Sequence, residues 1–186
     1  MEGITRQEFA KYCALGLCSA ACVLVPEIAV ARDSDSAAEW SMQQLDAVRI
    51  RYAKFLEILG RELDEPTQKK VLEDLGRECA TEFGSQTFGK YKDNIDGFLQ
   101  SIQQPSGWVE TVEYDKAAGT IRIIDRSRKC SCPLVKEGAT SAQQCHCSLG
   151  WQKETYSQIL GTPVGAEVEE SILRGGKRCV FRIKLP

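Results

Sequence analysis

The hydrophobic period of this chain first changes at Pro105-Ser106-Gly107, from helical to strand spacing, and that change sets its fold class. From Trp40 to Gly60 the residues Met42, Leu45, Val48, Tyr52, Phe55, Leu56 and Leu59 recur at three- and four-residue steps, the spacing of an amphipathic helix. Asp64-Glu65-Pro66 supplies a helix start with proline in the first turn, and Val71, Leu75, Cys79 and Phe83 then line one face as far as Gly84. A third helix carries Phe88, Tyr91, Ile95, Phe98 and Ile102. Beyond Gly107 the runs Trp108 to Tyr114 and Thr120 to Ile124 read as strands, joined by a turn with Gly119 where positive φ is tolerated. A Cys-rich segment leads into another helix, ended by Leu160-Gly161 and Thr162-Pro163. Val164, Ala166, Val168 and Ile172, then the turn Arg174 to Lys177, then Cys179, Phe181, Ile183 and Leu185 make a closing hairpin. Three helices, a hairpin, a Cys-bearing connection into a helix, and a closing hairpin predict an α+β domain. Its antiparallel sheet has four or more strands, with about four helices packed on one face.

Charge and histidine content narrow the chemistry. A formal net charge of −2 leaves no basic excess to track phosphates, which argues against a nucleic-acid partner. With 42% apolar and 27% charged residues the chain is neither wholly disordered nor a polytopic membrane protein. There is one histidine, so a His-rich metal cage and a zincin helix are excluded. Any Cys/His or Ser/His nucleophile pair must use His146.

The first 31 residues read as an export signal peptide. Thr5 to Lys11 (T-R-Q-E-F-A-K) precede an apolar run from Tyr12 to Val25, Pro26 breaks it, and Ala29-Val30-Ala31 supplies a small-residue exit. The run is shorter than the ~20 residues a spanning helix needs, so no membrane span is expected in the mature chain. The start is similar to a twin-arginine signal, with Gln7 in place of the second arginine. Ser19 and the apolar residues after Cys22 argue against a lipid anchor at that cysteine. Residues 32–39 (RDSDSAAE) then read as a linker and 40–186 as one domain, exported to a periplasmic or other extracytoplasmic compartment. Thiols there must be paired, metal-bound or protected.

Six of the nine cysteines fall in that domain, and four of them form the pattern Cys130-Ser131-Cys132, twelve residues, Cys145-His146-Cys147. If the intervening loop folds back, the four sulfurs can surround one soft cation. Zinc is the first expectation, and copper(I) is the competitor that thiolates also suit. Disulfides across the loop, with Cys79 and Cys179 as a third pair, are an alternative. So is a nucleophilic thiol at Cys147 or Cys145 with His146 as base. Cys79 and Cys179 otherwise read as small core hydrophobes. The helix that follows starts either at a Thr140-Ser141 capping box, which puts both cysteines in its first turns, or near Ser148. Trp108, Trp151 and Tyr156 are candidate pocket aromatics, and Glu167, Glu169 and Glu170 read as a solvated strand face.

The run C-H-C-S-L-G-W followed by L-G-T-P-V-G-A-E-V-E-E-S-I-L-R-G-G-K-R-C-V-F-R-I resembles the ending of 4-vinyl-reductase-type (hydrocarbon-binding) domains. The matching positions are Cys147, Gly161, Val164, Gly175, Gly176, Cys179, Phe181 and Ile183. The 2-amino-thiazoline-4-carboxylate hydrolase-like proteins end similarly, after a Cys-rich stretch. The resemblance covers residues 130–186 and implies a cleft between helices and a curved sheet that receives a small, partly apolar ligand. The combined expectation is an exported small-molecule- or metal-binding domain with its centre at Cys130, Cys132, Cys145 and Cys147. A hydrolase of a small heterocycle or amide and a disulfide-stapled structural module are the alternatives.

Overall fold

A computed structural model describes residues 27–186, with side chains described from residue 41 onward except 85 and 86. The apolar leader up to residue 26 lies outside the described residues. Two units are distinguished, residues 1–45 and 46–186, and the sheet and both apolar clusters belong to the second. Helix α1 (Glu27–Glu62) has helical backbone through 32–39, the segment whose composition reads as a linker. Its Ala, Glu and Arg are good helix formers, and they prevail there over the turn preference of Asp and Ser.

Helix α2 (Glu65–Cys79) starts as expected: the Asp64 side chain accepts from Thr67 N at 2.7 Å, with Pro66 in the first turn. It ends five residues before Gly84, because a π-helical turn over Ala80–Gly84 interrupts it. The helix expected over Phe88 to Ile102 is likewise divided. A short α3 (Ser85–Phe88) passes through a 3-10 turn (Gly89–Tyr91), and α4 (Ile95–Ile102) then starts anew. Asn94 causes that restart, since its side chain caps Gly97 N at 3.0 Å, and Asp93 before it is at φ 58°. Helix α5 (Gln144–Leu160) ends on Gly161 at φ 68°, the left-handed stop that its Leu-Gly-Thr-Pro sequence predicts.

Strands β1 (Val109–Asp115), β2 (Thr120–Asp125), β3 (Gly165–Glu170) and β4 (Val180–Lys184) form one antiparallel sheet in the order β1-β2-β4-β3. The register sorts its two faces. Val112 pairs with Ile123, Ile123 with Phe181, and Phe181 with Val168, so one row of apolar side chains crosses all four strands. On the other face Glu113, Arg122, Arg182 and Glu167 make an equivalent row. It is tied by Arg122 to Glu113 (3.2 Å) and by Lys184 to Glu167 (2.7 Å). One face is therefore charged and the other carries the helices, the α+β arrangement that the period change predicts.

Two apolar clusters result. The larger joins Phe98, Ile102, Val109, Ile121, Ile123, Tyr156, Ile159 and Ile183. The smaller joins Leu56 and Leu59 of α1 to Leu72 of α2, with Tyr52 and Cys147 packed against it. On α1 the buried residues are thus Ala53, Leu56 and Leu59, whereas Met42, Val48 and Phe55 of the expected face are exposed. On α2 the expected Val71 and Leu75 are also exposed, and Gln68, Leu72 and Gly76 are buried instead. Glycine explains that rotation. A Cβ on Gly76 would stand 1.9 Å from the Cys147 carbonyl oxygen, and one on Gly150 would stand 1.9 Å from that of Glu73. Helices α2 and α5 cross backbone to backbone at two glycines, and that crossing carries the cysteines.

Candidate functional site

The stretch between β2 and α5 has no strand or helix, so its position depends on anchors. Arg126 opens it by donating to the backbone of Gly107 and Val109 at 3.1 and 2.9 Å. Arg49 of α1 donates to the Pro133 carbonyl at 2.7 Å, and Lys136 reaches Asp46 of α1 at 2.7 Å. Lys136 N donates to Thr140 Oγ1 at 2.9 Å, which occupies the hydroxyl that a capping box would use. Helix α5 accordingly starts at Gln144 with no side-chain cap, placing Cys145 and Cys147 in its first turns rather than in an entry loop.

These anchors make a cleft of about 470 Å³ between α1 and the connection, lined by Cys130, Ser131 and Cys132 together with Arg49, Lys129 and Lys136. Behind it Cys147 packs against Leu56, Leu59 and Leu72. Tyr52 of α1 stands between, its hydroxyl donating to Gln144 Oε1 at 2.5 Å. Burial pushes the Tyr52 phenol up, and the thiols of Cys147, Cys132, Cys79 and Cys130 are near enough to raise it further. The two Cys-x-Cys segments thus both adjoin α1, Cys130 and Cys132 at the cleft and Cys147 at the apolar bed.

All six thiols of the domain are free. Burial pushes Cys147 up to about 12, helped by Cys132 and Cys79, and pushes Cys130 up to about 11. Cys132, Cys79 and Cys179 are raised as well, each first by burial. At neutral pH these groups are protonated, the opposite of an activated nucleophile. Cys130 also faces Cys179 and Cys145 and so stands between two groups of thiols. Cys79 has Cys132 as its thiol neighbour and Cys179 has Cys145, so the expected third disulfide partners fall in different groups. Cys145 is buried, with Sγ 2.9 Å from Ser171 Oγ. Among the described residues no three Cys, His, Asp or Glu side chains stand as a group able to hold a metal.

His146 lies towards Arg174 and Lys69 rather than towards the thiols. Its Nδ1 is buried without a hydrogen-bond partner, and burial lowers its pKa, helped by those two cations. Tyr156 and Trp151 pack edge-on against Phe98 and Phe88 of the larger core, and the exposed Trp108 lies over the same two rings from outside. Glu167 and Glu169 lie in the outer ionic row, and Glu170 closes the last turn by accepting from Lys177 N and Arg178 N at 2.6 and 3.2 Å. Cys179 is a core residue, as its strand pattern suggests. Arg49 is the site residue that sequence reasoning misses, since nothing in the helical spacing of α1 marks it as facing the cysteine segment.

An antiparallel four-stranded sheet with helices on one face and a thiol-lined cleft beside them defines this chain structurally. No family model matches the sequence, and no curated protein matches it. Among solved structures the fold is similar to trafficking protein particle complex subunit 3 from Naegleria fowleri, in a crystal structure with palmitic acid covalently bound. The TM-score is 0.51 at 14% identity, over 78% of this chain and 96% of that one, a likeness of fold. Among the described residues no helix is long and apolar enough to cross a membrane.

Proposed function

We propose that this chain is a binding module whose centre is the thiol cluster at the junction of α1, the Cys130–Cys132 segment and the start of α5, and that a soft metal ion occupies it. The observation that carries this reading is that both Cys-x-Cys segments adjoin α1: Cys130 and Cys132 line the cleft with Arg49, and Cys147 packs with Tyr52 against Leu56, Leu59 and Leu72, two residues after Cys145 on α5. Neutral buried thiols are the resting form of ligands that lose protons when a cation arrives. Zinc is the first candidate for being redox-silent, and copper(I) the second. Because the thiols are gathered but not yet in ligating positions, binding has to draw the irregular 126–143 connection towards α5. With the leader read from residues 1–31, the module works outside the cytoplasm. Kinship with the 4-vinyl-reductase-type and 2-amino-thiazoline-4-carboxylate hydrolase-like proteins is part of the same proposal.

A specific observation favours one second occupant, a small and partly apolar molecule. Cys147 adjoins the bed of Leu56, Leu59 and Leu72, so a thiol and an apolar surface meet, and the trafficking subunit of similar fold carries palmitic acid covalently. Elemental analysis with thiol counting on the purified chain separates the two. About one equivalent of metal, with four thiols freed only by chelation, supports the metal centre. A metal-free chain with an added acyl mass on one cysteine supports the apolar occupant, and a metal-free, unmodified chain whose thiols all react freely refutes both.

A further inference from the structure

We infer that the outer stripe of α1 is a docking surface for a second copy of this chain, the two helices pairing antiparallel across a two-fold axis. This goes beyond the binding reading above and does not rest on it.

The apolar residues of α1 fall on two faces. Ala53, Leu56 and Leu59 are buried, and the two leucines pack with Leu72 of α2. Val48, Phe55 and Ile58 are 44%, 47% and 48% exposed, so the folding of one chain leaves them in water. With Arg51 and Glu62, which are also exposed, they recur at steps of three, four, three and four residues. That is the heptad spacing of a seam between two helices, sustained here for about four turns. An apolar stripe of this kind on a solvent face, ended by charges, is the pattern of a protein–protein contact.

The order of residues within the stripe selects its occupant. Phe55 and Ile58 stand about 2 Å to either side of the midpoint between Leu56 and Glu57, measured along the helix, and Arg51 and Glu62 about 8 Å to either side. A two-fold axis through that midpoint lays Phe55 of one copy against Ile58 of the other and Arg51 against Glu62, each pairing twice by symmetry. Parallel pairing would instead oppose Arg51 to Arg51 and Glu62 to Glu62, which like-charge repulsion disfavours. The neighbouring charges are engaged within the chain, Lys54 with Glu57 at 2.8 Å and Arg61 with Glu62 Oε1 at 2.7 Å. Among the described residues Arg51 is in no salt bridge, and Glu62 Oε2 is left to receive it. The stripe is therefore complementary to itself in both shape of pattern and charge.

The test is sedimentation equilibrium of the reduced full-length chain up to about 100 µM, at low salt, where exposed pairs are least screened. The parent chain is expected to form a reversible dimer. R51E alone and E62R alone each bring like charges together at both ends of the seam, and each should weaken association at least ~10-fold. Mixing R51E with E62R makes every cross-seam pair opposite in charge again and should restore the dimer to within about 2-fold of the parent, which also shows that both variants fold. Ile58→Ser removes apolar contact without touching a charge and should weaken association with an unchanged thermal melt. A monomeric parent chain, a single charge variant or Ile58→Ser that associates as tightly as the parent, or a mixture that stays monomeric each overturns the inference.

Discussion

The crossing of α2 and α5 is the structural feature most open to a quantitative test, through Gly76→Ala. The added methyl would sit 1.9 Å from the Cys147 carbonyl oxygen and 2.8 Å from Trp151 N, both backbone atoms of a buried helix. Ordinary contact begins near 3.4 Å, so one helix must move by roughly 1.5 Å at that point. Overpacking of this kind costs about 1–3 kcal/mol, and a clash with rigid backbone belongs at the upper end of the range. Alanine recovers about 1 kcal/mol through its helix propensity, so the net loss is about 2 kcal/mol. With a urea m-value of ~2 kcal/mol/M the midpoint should fall by about 1 M in an equilibrium unfolding experiment followed by circular dichroism. Gly89→Ala is the matched control: nothing lies within 4 Å of its Cβ position, and its stability should change by no more than ~0.5 kcal/mol. A Gly76→Ala chain as stable as the parent, or more stable, would mean that helix propensity prevails and that the backbones do not meet there.

Three further outcomes follow from the same geometry. Tyr52→Phe removes the donor to Gln144 Oε1 and leaves a buried amide oxygen unpaired, which should cost about 1–3 kcal/mol in a thermal melt; an unchanged melt would show that this contact does not hold α1 to α5. Burial pushes the Asp125 carboxyl up to about 6, and its Oδ1 has no partner. The folded state thus holds that proton more tightly than the unfolded chain, and the group's contribution is fully present below about pH 4 and lost as pH rises through about 6. Asp125→Asn should therefore stabilise the protein by roughly 3 kcal/mol at pH 8 and by little at pH 4, and an equal effect at both values would contradict the burial account. Cys147, pushed up to about 12, should react with iodoacetamide far more slowly than a free thiol at pH 8; a fast thiol at that position would revive the nucleophile reading.

Much of the fold was legible because it depends on period and punctuation. The alternation in β4 placed Phe181 and Ile183 inward, and Leu160-Gly161-Thr162-Pro163 marked where α5 stops. Helix faces were less legible. Val71 and Leu75 look like the buried stripe of α2, but two glycines let the α5 backbone approach so closely that the face turns onto Leu72 and Gly76. Apolar spacing carries no signal for a backbone crossing. Asn94 was similarly overlooked as a cap inside a run of helical spacing. At the site, the doubled Cys-x-Cys pattern brought attention to the right segments. It left open whether Cys145 and Cys147 stand in helix turns, and gave no way to see that Cys145 would meet Ser171 while Cys147 packs against Leu56, Leu59 and Leu72.

X-ray absorption at the zinc edge of the reduced full-length chain loaded with one equivalent of Zn²⁺ tests the metal centre most directly. The account predicts a first shell of four sulfur atoms at about 2.3 Å, with no nitrogen or oxygen among them. A first shell dominated by nitrogen and oxygen would contradict it, as would a chain that retains no zinc after desalting.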